Sequence, residues 1–99
     1  MNTKAEKNEQ AADRFPLGNL YMTPGAMQKL PVEEALAAIG RHAAGDWGEC
    51  CTADAAENEF AIDKYLRIFS VYRTAADVKF WVITEADRSV TTVLLPEEY

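Results

Sequence analysis

Apolar residues recur at two different periods along the chain, and the change between them separates a helical part from a β part. From Pro31 to His42 the apolar side chains stack at helical spacing, as Val32, Leu36 and Ile39 do. From Arg67 onward the period is two, which is typical of strands. The pattern therefore predicts N-terminal helices followed by a small sheet.

The first two helices have recognisable boundaries. Thr23 is a suitable N-cap and Pro24 suits the first helical position, so a short helix is predicted over 24–30. A second helix is predicted from Pro31 to about His42, and Gly45 is a natural stop after it. Regular structure is therefore expected to start at Thr23.

A third helix is predicted over residues 55–66. Asp54 and Glu57 form a D-x-x-E pattern, which is typical of a capping box at a helix N-terminus. The buried stripe of this helix is expected to consist of four apolar side chains, those of Phe60, Ile62, Tyr65 and Leu66.

Three segments rich in β-branched and aromatic residues follow the helices. They are 67–73 (R-I-F-S-V-Y-R), 78–84 (V-K-F-W-V-I-T) and 90–95 (V-T-T-V-L-L). The connections between them are short, and short connections join antiparallel neighbours. The chain therefore predicts an α+β fold, in which two or three N-terminal helices pack on one face of a three-stranded antiparallel β-meander.

The 99 residues are enough for one domain. Residues 1–14 are polar and lack an apolar period, whereas hydrophobic anchors occur between Phe15 and Tyr21, where the chain could begin to dock. We therefore expect a flexible extension over 1–20 and a single α+β domain over 21–99. No apolar run approaches the length of about 20 residues that spans a bilayer.

Sixteen acidic residues against ten basic ones give the chain a net charge of −6. The richest segment has six carboxylates and no Lys or Arg: Asp46, Glu49, Asp54, Glu57, Glu59 and Asp63. An acidic surface repels phosphate, so direct nucleic-acid binding is disfavoured. These six residues are predicted to bind a partner protein as a mimic of nucleic-acid phosphate, and the alternative is a solvated helix face.

The predicted strands also bring basic and aromatic side chains together. Period-two spacing puts two sets on single faces of adjacent strands: Arg67, Phe69, Val71 and Arg73 in one, and Lys79, Trp81 and Ile83 in the other. Such a surface suits stacking on bases with neutralisation of phosphate. The alternative is that the Arg and Lys stems only cover an exposed sheet face.

Polar residues concentrate around the second hairpin, at 84–92. Its carboxylates, guanidinium and hydroxyls are what an acid–base or phosphate-handling site requires, but the same residue types also build turns. Both interpretations stay open. His42, the only histidine, is expected to cap a helix or lie at the surface, and Trp47 is expected to anchor the core or a hinge.

Cys50 and Cys51 are adjacent in the chain, and neighbouring cysteines rarely bridge each other. With a single histidine besides them, a four-ligand Cys/His zinc site cannot be assembled, so no metal is expected. No phosphate-binding loop, dinucleotide fingerprint or nucleophile elbow occurs, so no cofactor is expected. The two thiols are expected to be free in a reducing cytoplasm.

Four motifs occur together: His42-x-x-Gly45-Asp46-Trp47-Gly48, Asp54 with Asn58, Arg67-x-x-Ser70-x-Tyr72, and W-V-I-T-E-A-D-R-S-V-T-T-V-L-L-P-E-E-Y at 81–99. Over Tyr21–Tyr99 the chain resembles a family of small uncharacterised "plasmid-related" proteins of bacterial plasmids and other mobile elements. In those proteins the chain tends to start near Met22, so residues 1–21 look like an extension. The resemblance implies a bacterial, cytoplasmic, mobile-element setting and brings no activity with it.

Two functional hypotheses follow. The first is a non-enzymatic acidic interaction protein of a bacterial mobile element, which binds and modulates a host nucleic-acid enzyme, such as a nuclease, or a defence complex. The second is a small ribonuclease or toxin-like domain, in which four residues bind phosphate or move protons: Arg67, Arg73, Glu85 and Arg88. A homodimer through exposed sheet edges is compatible with both.

Overall fold

The computed structural model describes residues 13–99. Within these residues there are four strands, three α-helices and a short 3-10 helix: β1 (Asn19–Met22), α1 (Pro24–Lys29), α2 (Val32–Ala43), α3 (Thr52–Lys64), β2 (Ile68–Arg73), β3 (Lys79–Thr84), β4 (Val90–Leu94) and the 3-10 helix (Pro96–Glu98). The predicted α+β class is therefore confirmed, and the predicted bounds of the last three strands agree within one residue.

The sheet is four-stranded and mixed, with the strand order β1-β4-β3-β2. β2, β3 and β4 form the expected antiparallel meander, but β1 adds a parallel strand beside β4. The backbone N–H of Asn19 donates to the carbonyl of Ser89, just before β4, over 3.0 Å. The N–H of Thr23 donates to the carbonyl of Val93 in β4, also over 3.0 Å. The three-stranded prediction was wrong because a four-residue strand is too short to produce a period of its own.

Residues 13–20 belong to the domain, so the expected boundary at residue 21 is too late. Phe15 is 5% exposed and packs with Trp47 in a small second core. The backbone N–H of Arg14 donates to the carbonyl of Ala43 over 2.8 Å, which ties this segment to the end of α2. The rest of the predicted extension, residues 1–12, lies outside the described residues.

α2 packs on one face of the sheet, where most of the core lies. The core joins side chains of α1, α2 and three strands: Ala26, Leu30, Ala38, Ile39, Tyr72, Phe80, Val82, Val93 and Leu95. The predicted stripe of α2 was only partly right, because Val32 and Leu36 are 63% and 60% exposed. Small residues and His42 face the sheet in their place, which lets the helix lie close to it.

α3 begins three residues earlier than predicted, with Cys51 as its N-cap. Asp54 therefore lies inside the first turn, where a carboxylate interacts well with the helix dipole, and does not cap the helix. The buried residues are Asn58 and Ala61, and the predicted stripe is mostly exposed. Phe60 is 53% exposed, because α3 contacts β2 and buries the helix face that carries the polar Asn58 and the small Ala61.

The β2 edge of the sheet is closed by side-chain and backbone hydrogen bonds. The amide of Asn58 donates to the carbonyl of Phe69 over 2.6 Å and accepts from its N–H over 3.0 Å. Further along, Val71 donates to the carbonyl of Trp47 over 3.2 Å and accepts from the N–H of Glu49 over 2.7 Å. A homodimer through this edge, as one sequence hypothesis allowed, would have to break these bonds.

Gly48 allows this closure, and a matched pair of substitutions tests it. At Gly48 φ is +70°, and an added Cβ would overlap the carbonyl oxygen of Val71. Gly48→Ala is therefore expected to lower the free energy of unfolding by more than about 1 kcal/mol. Gly40→Ala, in α2, meets nothing within 4 Å and is expected to raise it by about 0.5–1 kcal/mol. Urea unfolding measures both free energies. Equal changes in the two variants would contradict the close approach of Gly48 to the carbonyl of Val71 in β2.

Candidate functional site

The candidate site lies on the sheet face opposite α2. The register pairs Phe69 with Ile83, Val71 with Trp81, and Arg73 with Lys79 on this face. Since Tyr72, Phe80 and Val82 point into the core under α2, these alternate residues point to the other side. The two predicted sets of side chains therefore do share one face of the sheet.

A groove of about 330 Å³ opens on this face. Six residues line it: Asp54, Arg67, Phe69, Trp81, Ile83 and Tyr99. The Trp81 ring lies 5.0 Å from that of Phe69 at 82° and 5.5 Å from that of Tyr99 at 69°, measured between ring centroids. Trp81 and Phe69 are half-buried and Tyr99 is 72% exposed, so aromatic surface remains accessible to a ligand.

Two charged residues border the aromatic rings. Arg67 donates to the Tyr99 hydroxyl over 2.8 Å and forms an ion pair with Glu85 at 3.2 Å. The carboxylate of Glu85 raises the pKa of Arg67, and the Tyr99 hydroxyl reinforces this. Asp54 reaches the groove from the first turn of α3 and has no ion pair with a basic residue among residues 13–99.

The other basic residues of this face do not form an uncompensated cationic surface. Arg73 pairs with Glu49 at 2.9 Å and with Asp77 at 3.0 Å, and both carboxylates raise its pKa. Arg73 is the last residue of β2 and Arg67 directly precedes that strand, so the two are about 20 Å apart along an extended chain. Lys79 is exposed and forms no ion pair among residues 13–99, so this face combines aromatic rings with two paired arginines and one lysine.

Arg88 lies away from this groove, and it is buried with 6% exposure. Its guanidinium donates to the carbonyls of Ala61 and Leu66 over 2.8 Å each, at the C-terminal end of α3, where a cation interacts well with the helix dipole. It also lies 4.9 Å from the centre of the Tyr65 ring. Of the four residues in the ribonuclease hypothesis, Arg67 and Glu85 are in contact, whereas Arg88 faces backbone carbonyls elsewhere.

The hairpin at 84–92 uses its polar side chains internally. Asp87 accepts from the N–H of Ser89 over 2.9 Å, and the hydroxyl of Ser89 together with this N–H lowers the pKa of Asp87. Thr84 and Thr91 are fully buried, and Arg88 adopts φ 63° within the turn. These contacts favour the structural interpretation of this hairpin.

Three of the six predicted partner-binding carboxylates pair with arginines from other segments. Asp46 bonds Arg41 at 2.7 Å, and this contact lowers its pKa. Glu59 bonds Arg14 at 2.7 Å, which likewise lowers its pKa. Glu49 is the partner of Arg73 described above. The predicted acidic surface is therefore partly neutralised, and the remaining three residues are Asp54, Glu57 and Asp63.

His42 belongs to a buried chain of hydrogen bonds, so the expected cap or surface role was wrong. Its side chain is 0% exposed. Nδ1 lies 2.6 Å from the Ser70 hydroxyl, and Nε2 lies 2.9 Å from the Thr84 hydroxyl. Thr84 lies 2.7 Å from the Thr91 hydroxyl, which donates to the carbonyl of Leu17 over 2.7 Å. We call this series, from Ser70 to Leu17, the polar chain.

The carbonyl of Leu17, at the end of the polar chain, fixes the direction of every hydrogen bond in it. A carbonyl oxygen only accepts, so Thr91 donates to Leu17 and must accept from Thr84. Thr84 then accepts from Nε2–H of His42, and Nδ1 accepts from Ser70. Burial lowers the pKa of His42 to about 3, so the ring is a neutral Nε2–H tautomer. It serves the core and has no access to a substrate.

Trp47 anchors the core, as the sequence predicted. It is 7% exposed, and its ring lies 6.0 Å from that of His42 and 6.2 Å from that of Phe15. Its Nε1–H donates to Glu59 over 3.1 Å. Glu59 is thereby held between Trp47 and Arg14.

Comparisons with known proteins add no assignment. No family model matches the chain, and no similar protein was found among curated proteins or solved structures. In residues 13–99, no three His, Cys, Asp or Glu side chains cluster closely enough to hold a metal ion. None of the helices in that part of the chain has the length and apolar character needed to cross a membrane. The resemblance to plasmid-related proteins stays a prediction.

The burial of neutral His42 predicts a loss of stability in mild acid. The unfolded chain protonates this histidine at its ordinary pKa of 6.5, whereas the folded protein holds the pKa near 3. Between these values the unfolded state binds more protons, so the stabilisation is complete above pH 6.5 and declines as the pH falls. We expect the unfolding equilibrium constant to rise about tenfold per pH unit between about pH 6 and pH 5.

Urea unfolding at several pH values in this range measures the effect. His42 is the only histidine, and the carboxylates titrate mainly below this pH range. The slope of the free energy of unfolding against pH therefore reports on His42. A free energy of unfolding that stays constant from about pH 7 to pH 5 would contradict the neutral, buried state.

Proposed function

We propose that this protein is a non-enzymatic interaction protein of a bacterial mobile element, and that it binds a host protein in the cytoplasm. The observation that carries this proposal is the groove of half-exposed aromatic rings at the junction of the sheet and α3. Aromatic side chains dominate the binding energy of protein interfaces. We further propose a host nucleic-acid enzyme, such as a nuclease, or a defence complex as the partner.

The negative charge of the chain favours a partner protein that itself binds nucleic acid. Such enzymes carry basic surfaces because they must neutralise phosphate. The chain carries −6 overall, and three carboxylates of α3 have no ion pair inside residues 13–99: Asp54, which lines the groove, Glu57 and Asp63. Complementary charge favours encounter with a basic partner and suppresses contact with nucleic acid.

The contacts described above give the ribonuclease hypothesis little support. A general acid and base must reach the same substrate, within hydrogen-bond distance of the reacting groups. His42 is enclosed in the polar chain, and Arg88 is bound to carbonyls of α3. Arg73 is paired with Glu49 and Asp77, and Arg67 and Glu85 neutralise each other.

The proposal predicts that a host protein binds through the groove. The tagged protein and its Trp81→Ala variant are used to capture proteins from bacterial lysate, and the captured protein is then purified and titrated. We expect its affinity to fall at least about tenfold with Trp81→Ala, because central aromatic residues are typical hot spots. Tyr21→Ala is the matched control and should bind like the wild type, since Tyr21 is 61% exposed on β1, the edge strand opposite β2, and does not line the groove.

Three results would contradict this function. Equal affinity of the wild type and Trp81→Ala for the purified partner would exclude the groove as the binding site, provided that circular dichroism shows both proteins to be folded. RNA cleavage by the wild type that is lost in Glu85→Gln would favour the ribonuclease hypothesis instead. Recovery of RNA that depends on low salt would point the same way.

A further inference from the structure

Two charged side chains line the groove beside its aromatic rings, those of Asp54 and Arg67. Arg67 is already paired at 3.2 Å with Glu85, which lies outside the lining, whereas Asp54 has no ion pair among residues 13–99. Asp54 lies in the first turn of α3, where a carboxylate interacts well with the helix dipole. A bound group with a positive charge would therefore gain a counter-ion here.

The rings provide the second half of a cation site. The face of an aromatic ring attracts a cation within about 6 Å of its centre, and tryptophan attracts it most strongly. Trp81 is half-buried and nearly perpendicular to both Phe69 and Tyr99, at 82° and 69°. Rings at such angles form walls of different orientation, so Trp81 offers no parallel slot with either neighbour in which a flat base could be sandwiched.

We propose that the groove binds an arginine side chain from a basic segment of the partner protein. Asp54 accepts the hydrogen bonds of the guanidinium, and Trp81 contacts its planar face. Arginine fits this combination better than lysine, because its guanidinium both stacks on aromatic rings and bonds a carboxylate with two parallel N–H groups. The inference rests on the proposed function, since it names the group that this surface recognises.

The size and charges of the groove disfavour the other occupants. At about 330 Å³ it lies at the small end of ligand pockets and accepts one side chain. A phosphate or a carboxylate would have to displace Glu85 from Arg67 and would face Asp54 across the groove. An arginine needs neither change.

A titration with a short peptide tests the inference on the intact protein. The probe is acetyl-Gly-Arg-Gly-amide, and its neutral counterpart carries citrulline, which has nearly the same shape without the charge. Two-dimensional NMR follows the indole N–H groups of the two tryptophans. We expect the arginine peptide to shift the signal of Trp81 saturably and to bind at least about fivefold more tightly than the citrulline peptide. The buried Trp47 should not respond.

A pair of isosteric variants isolates the counter-ion. Asp54→Asn should reduce the affinity for the arginine peptide at least about threefold and leave that for the citrulline peptide unchanged. Glu57→Gln, also in α3 but outside the groove lining, is the matched control and should bind like the wild type.

Three outcomes would overturn the inference: equal binding of the arginine and citrulline peptides, equal effects of Asp54→Asn and Glu57→Gln, or shifts of Trp81 with uridine monophosphate and none with the arginine peptide. If one of these occurs while capture of the partner still depends on Trp81, the inference fails alone. If capture does not depend on Trp81, the proposed function fails as well.

Discussion

The polar chain through His42 is the constraint on which the arrangement of the fold depends. It links α2 to three strands and to the segment before β1, and all of its side chains are buried. A buried imidazole costs free energy unless both nitrogens are hydrogen-bonded, so α2 is held where Ser70 and Thr84 meet the ring. Because α2 covers this face of the sheet, the opposite face is left for the groove.

The arginines distribute the charge of the surface through contacts between distant segments. Arg14, Arg41 and Arg73 each pair with a carboxylate of the acidic segment, and Arg88 satisfies the end of α3. Exposed ion pairs of this kind contribute only about 0–1 kcal/mol each to stability. They leave three carboxylates of the acidic segment without an ion pair among residues 13–99, all of them on α3: Asp54, Glu57 and Asp63.

Two surfaces that look separate in the sequence meet at the groove. The aromatic residues of β2 and β3 form its floor, and the first turn of α3 brings a carboxylate to its side. Asn58 makes this possible, because its two hydrogen bonds with the backbone of Phe69 hold α3 beside β2. The aromatic face and the acidic helix, which the sequence suggested for different partners, therefore border the same groove.

The sequence by itself determined the α+β class, the three-strand meander and the shared face of Phe69 and Trp81, because these depend on local periodicity and short connections. Tertiary structure decided the rest. β1 is too short to show a period, and the buried state of His42 depends on hydroxyls 28 and 42 residues away. The pairing of the acidic segment and the place of Asp54 beside the rings depend likewise on contacts between distant residues, which no local pattern records.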